Sequence, residues 1–200
     1  MKEIRIHGRG GQGSVLAAEL LAVAAFADGH WGQAFPVFGG ERRGAPVQAF
    51  VRLSDQAIRL RTRIRTPDYI ILQDLSLLGL VNVTDGLKPG GLIIANSDGT
   101  KDIAWPEGVS VCHVPALQIA LRVLGRPFLN PSMLGAFAAA SGEVTLNSIQ
   151  EAFRERFPGE LGEKNAEAAQ IGYEQITHHE DTPVPARRLQ AKGTEKKGEN

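Results

Sequence analysis

The sequence predicts an α/β fold: a doubly wound, mostly parallel sheet with helices on both faces and a helical C-terminal part. Three observations carry this. An alternating run, Lys2 to His7, is followed by Gly8-Arg9-Gly10-Gly11-Gln12-Gly13 and then by the alanine- and leucine-rich stretch Ser14 to Ala27, the order strand, glycine turn, helix. Tyr69 to Leu72 and Leu92 to Ala95 are short and wholly apolar, as strands buried on both faces of a parallel sheet are. Beyond Pro115 the character turns mostly helical. Strands alternating with helices imply right-handed crossovers within one sheet.

Taken in order, Ile4 and Ile6 alternate with Glu3, Arg5 and His7, which predicts a first strand with one face more buried than the other. Ser14 stands where a helix N-cap belongs, and Val15, Leu16, Glu19, Leu20, Val23 and Phe26 fall at spacings that build one apolar stripe. Asp28-Gly29 ends that helix. His30 to Phe38 and Val47 to Leu53 read as extended segments, separated by Gly39-Gly40-Glu41-Arg42-Arg43-Gly44-Ala45-Pro46, a loop whose glycines and adjacent guanidinium groups suit contact better than core. Ser54-Asp55 and Thr66-Pro67-Asp68 read as turns. A helix is expected from Leu75 to Val83, a tight turn at Lys88-Pro89-Gly90-Gly91, and a last strand from Val109 to Val114. Helices are then expected at Ala116 to Leu124, Pro131 to Ser141, Leu146 to Phe153 and Lys164 to Thr177, packed on the sheet and on a partner. One domain over 1–177 and an extended tail over 178–200 is the resulting organisation. The tail mixes prolines, charges and glycine and should be disordered alone in water. Pro183, Pro185 and the Arg187-Arg188 pair suit a segment that wraps a partner subunit.

Two hundred residues are enough to bury a core without disulfides or a structural metal. Lysine plus arginine numbers 22, as does aspartate plus glutamate, so the formal net charge is zero and there is no basic excess to draw the chain onto nucleic acid or an anionic membrane. The single cysteine, Cys112, excludes an intrachain disulfide and cannot by itself hold an iron–sulfur cluster, which takes about four cysteine ligands. Any redox metal must lie in another chain. The first residues lack the apolar region of a secretion signal, and Val15 to Ala27 is interrupted by Glu19 and too short to cross a bilayer. A soluble, cytoplasmic chain is expected.

A strand, a glycine turn and a helix start in succession gather backbone N–H groups at a helix N-terminus, where the macrodipole favours an anion. A phosphate carried by a nucleotide or by coenzyme A is the expected ligand. Gly8, Gly10 and Gly13 match the G-x-G-x-x-G fingerprint of Rossmann-like dinucleotide-binding folds. That fingerprint needs an acidic residue about 20 residues on, at the end of the second strand; Asp28 comes too early and Glu41 too late. A stand-alone NAD(P) dehydrogenase is thereby disfavoured, and a purely structural glycine turn is a further alternative. Arg42 and Arg43 suit a bidentate clamp on phosphate or carboxylate, or salt bridges to a neighbouring subunit. Arg59, Arg61, Arg63 and Arg65 alternate at period two and should project from one face of an extended segment, as a solvated or subunit-facing stripe. His7, His30, His113, His178 and His179 lack the spacing of a metal site. Cys112, inside an expected buried strand, should behave as a small apolar residue. There is no nucleophile-elbow serine and no paired-carboxylate arrangement, so no catalytic residue and no metal ligand is assigned.

Together these residues resemble the gamma subunit, or gamma domain, of the 2-oxoacid:ferredoxin oxidoreductases, the group that includes pyruvate synthase. The resemblance rests on Gly8 to Gly13, on Phe38-Gly39-Gly40-Glu41-Arg42-Arg43-Gly44, on Pro67-Asp68, on Leu87-Lys88-Pro89-Gly90-Gly91, on Asn130 with Leu134-Gly135-Ala136, and on Asn165 to Ala169. It covers 1–178 and departs at Ala45, where the family often has a second glycine after the arginine. It implies an enzyme that oxidatively decarboxylates a 2-oxoacid, transfers the acyl group to coenzyme A and passes electrons to ferredoxin or a flavoprotein. The 2-oxoacid stays open among pyruvate, 2-oxoglutarate, a branched-chain oxoacid, indolepyruvate and phenylglyoxylate. Thiamine diphosphate, Mg2+ and [4Fe-4S] clusters are implied in alpha-, beta- and delta-type partner subunits. For this chain the resemblance implies a cover over the active site that helps bind coenzyme A, with Gly8, Gly10, Gly11, Gln12, Gly13 and Ser14 at the phosphates and Arg42 or Arg43 nearby.

Overall fold

Residues 1–36, 43–100 and 103–177 are described by the computed structural model. Strands β1 (Lys2–Arg9), β2 (Trp31–Pro36), β3 (Pro46–Ser54), β4 (Tyr69–Leu72), β5 (Leu92–Asn96) and β6 (Ser110–Val114) form one sheet in the order β2-β3-β1-β4-β5-β6. β1, β4, β5 and β6 run parallel, while β3 pairs antiparallel with both β1 and β2. The expected α/β class and mostly parallel sheet are therefore what the chain adopts, although its five α-helices lie on one face of the sheet rather than on both. β4 is buried at every position, and so are the first four residues of β5, which is why their apolar runs show no alternation.

Helices α1 (Ser14–Ala27), α2 (Ala116–Leu124), α3 (Asn130–Ser141), α4 (Leu146–Arg156) and α5 (Glu160–Thr177) all contribute to one apolar layer with Ile4, Ile6, Val51, Ile71 and Ile94 of the sheet. The opposite face carries a smaller cluster, Ile70, Leu72, Ile93 and Ala95 with Leu77 and Val83. Helix α3 is apolar nearly all round and is buried accordingly. It crosses α5 at close range because a Cβ on Gly135 would overlap the Ala169 carbonyl, and one on Gly172 the Ser132 carbonyl.

Three expectations are corrected. Helix α1 has the expected ends, and of the expected stripe Leu20 is buried with Val15 and Leu16 packed against the core, but the helix also turns Ser14, Ala17, Ala18, Leu21, Ala24 and Ala25 inward and leaves Val23 and Phe26 exposed. Small residues let the helix lie close to the sheet, and this outweighs the size of the side chains that mark the expected stripe. The expected helix from Leu75 to Val83 is only a short 3-10 helix, Leu75–Gly79. The Val83 carbonyl beyond it accepts from the Arg5 guanidinium at 2.9 Å, which ties this loop to β1. Finally, β1 buries both faces: Arg5 and His7 are 5% and 1% exposed, beside Ile4 and Ile6 at 0%. Val37, Phe38 and the tail 178–200 lie outside the described residues.

Candidate functional site

The glycine turn lies at the carboxyl end of β1, flanked by the residues that follow parallel β4 and by the start of antiparallel β3. Crevices at such strand ends are where open α/β sheets bind ligands. Gly10 donates its N–H to the Ala45 carbonyl (2.9 Å), and Gly44 donates to the Gly10 carbonyl (3.0 Å). Ala45 thus serves through its backbone, and its departure from the family pattern leaves this pairing intact. Gly13 closes the turn with φ +79°, a left-handed conformation that favours glycine.

Ser14 does not cap α1, correcting the sequence expectation. No side chain caps this helix. Instead the Ser14 hydroxyl donates to Gln73 Oε1 (2.6 Å), Gln73 Nε2 donates to Asn130 Oδ1 (2.7 Å), and Asn130 Nδ2 donates to the Gly13 carbonyl (3.0 Å). This closed, buried chain of amides fixes the turn against β4 and α3 and keeps its own donors turned inward. Any anion must therefore be met by the main-chain N–H groups of the first turn of α1, which helix geometry leaves without intrahelical partners. A Cβ on Gly11 would meet open space, whereas one on Gly8 would collide with Gln73 Oε1 and Ser14 Oγ.

Gln12 is partly internal too: its Oε1 accepts from the Arg9 N–H (2.7 Å) and its Nε2 donates to Asp74 Oδ2 (3.3 Å). Arg9 donates to Asp74 Oδ2 (3.0 Å), the Gly44 carbonyl (2.9 Å) and Ser76 Oγ (2.6 Å). Burial raises the Asp74 carboxyl, but the Ser76 donors and the Arg9 charge outweigh it and hold the group below its ordinary value. Asp74 therefore stays an anion that locks Arg9 in place.

Of the eight residues expected at the site, Gly8, Gly10, Gly11, Gln12, Gly13 and Ser14 form this one turn. Arg43 is exposed immediately before Gly44 and so stands beside it, while Arg42 lies outside the described residues. Sequence reasoning missed Arg9, Gln73 and Asp74 and gave Asn130 no role. Gln73 and Asp74 are polar residues directly after a wholly apolar strand, the signal that could have placed them at the crevice.

The dinucleotide alternative loses its acidic partner. Asp28 accepts from the Thr145 N–H (2.6 Å), the Thr145 hydroxyl (2.8 Å) and the Ser148 hydroxyl (2.6 Å) at the far end of α1. Cys112 is buried, and burial pushes its thiol up to about 11, as suits an inert apolar residue. Among the described residues no group of three or more His, Cys, Asp or Glu could hold a metal ion, and no helix is long and apolar enough to cross a membrane.

These features define an α/β chain built around a glycine turn at its first crossover. The family model described as pyruvate ferredoxin/flavodoxin oxidoreductase matches residues 3–175, and the chain belongs to that family. It is 50% identical over 184 residues to the pyruvate/ketoisovalerate oxidoreductases common subunit gamma of Thermococcus litoralis, covering 90% of this chain and all of that one. The crystal structure of pyruvate oxidoreductase subunit PORC from Thermotoga maritima is similar with a TM-score of 0.75 at 35% identity, over 86% of this chain and 95% of that one. The fold also recurs, at TM-score 0.80 and 22% identity, over 95% of this chain and 33% of a 2-oxoglutarate:ferredoxin oxidoreductase chain from Magnetococcus marinus, solved with 2-oxoglutarate, coenzyme A and succinyl-CoA bound. This chain is a gamma-type subunit of a multisubunit 2-oxoacid:ferredoxin oxidoreductase.

Proposed function

We propose that the glycine turn holds phosphate of coenzyme A while this subunit covers an active site carried by partner chains. The observation that bears most on this is the start of α1: an uncapped N-terminus behind a left-handed Gly13, open space at Gly11, and Arg43 on the adjoining strand entry. An uncapped helix start with an exposed arginine nearby in the chain suits a phosphate. Coenzyme A, when bound, supplies the thiol that takes the acyl group. The role of this chain is to bind and orient: within the stretch Gly10 to Ser14 the main-chain donors of Gly11, Gly13 and Ser14 meet the phosphate, since the Gly10 and Gln12 N–H groups are given to the Ala45 and Arg9 carbonyls, with Arg42 or Arg43 nearby.

Thiamine diphosphate, Mg2+ and iron–sulfur clusters are assigned to alpha-, beta- and delta-type partners in the cytoplasm, and ferredoxin or a flavoprotein takes the electrons. A buried single thiol does not fit a cluster, which supports that division. The relative shared between pyruvate and ketoisovalerate enzymes supports a gamma chain that leaves 2-oxoacid choice to its partners.

The test is the double variant Arg42→Ala/Arg43→Ala in the assembled complex. Loss of a charged hydrogen bond worth about 1.5 kcal/mol should raise the KM for coenzyme A roughly tenfold, with little change for the 2-oxoacid. Equal effects on the two substrates reject the reading, and no effect on either favours a purely structural turn.

A further inference from the structure

We infer that the arginine stripe Arg59, Arg61, Arg63 and Arg65, together with the cleft beneath it, is the docking surface for an extended acidic segment of a partner subunit. The cleft, about 930 Å³, opens on the face of the sheet opposite the helices, and its charged lining is Glu3, Arg5, Arg52, Arg63, Arg65 and Asp85. Its two buried arginines act as staples. Arg52 donates to Glu3 Oε1 (2.9 Å) and to the Thr62 carbonyl (2.6 Å), and Arg5 donates to the Val83 and Asp85 carbonyls. Carbonyls satisfy donors without cancelling charge, and Arg5 Nε is buried with no hydrogen-bond partner. Glu3 and Asp85 balance the two buried arginines, so the excess positive charge of the cleft comes from Arg63 and Arg65.

The rim adds to this. The stretch from Ala57 to Thr66 belongs to no strand, and its inward turn is fixed by buried Ile64 and by the carbonyls that Arg52 holds. All four alternate arginines are exposed, as are Leu60 and Thr62 between them, and none of the four forms an ion pair among the described residues. No Asp or Glu occurs between Asp55 and Asp68. Guanidinium groups on every second residue of an extended chain sit about 7 Å apart, so their repulsion goes unopposed in a chain whose overall charge is zero. Carboxylates at the same period in an antiparallel or parallel partner segment would meet them one to one. Leu60, 47% exposed at the cleft, offers apolar contact for an intervening side chain, which a phosphate backbone would not use. A multisubunit enzyme supplies such a partner, and this inference is independent of the coenzyme A reading.

The test compares the wild-type complex with Arg61→Glu/Arg63→Glu and with Arg61→Lys/Arg63→Lys. Both positions are exposed, so thermal unfolding of the full chain should be unchanged in either variant. Charge reversal should weaken assembly with the partner subunits at least about tenfold at low salt, the lysine variant should assemble, and raised salt should narrow the gap. In parallel, phenylglyoxal should modify these arginines in the isolated chain and spare them in the complex. Wild-type assembly of the charge-reversed chain, or equal modification in both states, overturns the inference. So does protection of the isolated chain by anionic vesicles or inorganic phosphate while the complex leaves the arginines reactive. A raised KM for coenzyme A with intact assembly would likewise overturn it, and would leave the glycine-turn proposal standing.

Discussion

The two faces of β1 are buried almost equally and by opposite means. Ile4 and Ile6 belong to the apolar layer built with the five helices and are held by dispersion and water exclusion. Arg5 and His7 on the other face are closed over by loops, which are in turn tied to the sheet through Arg5 and Arg52. Apolar packing gives way in small steps when a methyl group is lost. A buried guanidinium that satisfies a carboxylate and a loop, as Arg52 does, fails as a unit, because each partner is left desolvated and unpaired. Stability on the loop-covered face should therefore rest on very few atoms.

Arg52→Ala is the sharpest way to break that contrast. The side chain is 1% exposed and serves Glu3, Gln33 and the Thr62 carbonyl. Its removal should cost about 3–5 kcal/mol, read as a shift in the urea midpoint, against about 0.5–1.5 kcal/mol for Ile6→Val on the helical face. Equal losses would show that the polar face is held by something other than these bonds. On the helical side, Gly135→Ala should cost about 1–3 kcal/mol by forcing α3 away from the Ala169 carbonyl, and the far face should be unaffected.

His7 gives the contrast a pH dependence. Burial, reinforced by the neighbouring Arg5 charge, pushes its imidazole down to about 3, whereas the unfolded value is about 6.5. Between those values the unfolded chain binds more protons, so the stability of the neutral buried form is whole above about pH 6.5 and drains away as pH falls. At pH 5 the loss should be about 2 kcal/mol. His7→Gln should flatten that slope in denaturant titrations from pH 7 to 5, and an unchanged slope would assign the acid sensitivity to other groups.

Much of this was legible in the residues. Apolar runs such as Tyr69 to Leu72 announce doubly buried strands, and the glycine turn announces itself by what precedes and follows it. Alternation at Glu3, Arg5 and His7 correctly gave the direction of the side chains but not their burial, since the loops that cover them come from Thr62 and Val83, far along the chain. The same distance hid the Ser14–Gln73–Asn130 relay, whose members share no local pattern. The antiparallel insertion of β3 beside β1 was invisible for a similar reason: strand runs fix faces, and pairing partners follow from connections the pattern does not record.

Helix α1 holds the smallest of the expected effects and the cleanest discrimination. The large side chains at helical spacing single out Val23 and Phe26 as core, and a Phe truncated in a core costs about 3–5 kcal/mol. The structure instead leaves Phe26 72% exposed, with Ala24 and Ala25 turned inward. A surface change away from any cap or network stays within about 0.5 kcal/mol. Phe26→Ser should therefore leave the urea midpoint of the full chain nearly where it was, while Ala24→Val, which adds two methyl groups where the helix meets the sheet, should lower it. A large loss at Phe26 with tolerance at Ala24 would mean that α1 is rotated toward the stripe that side-chain size alone suggests.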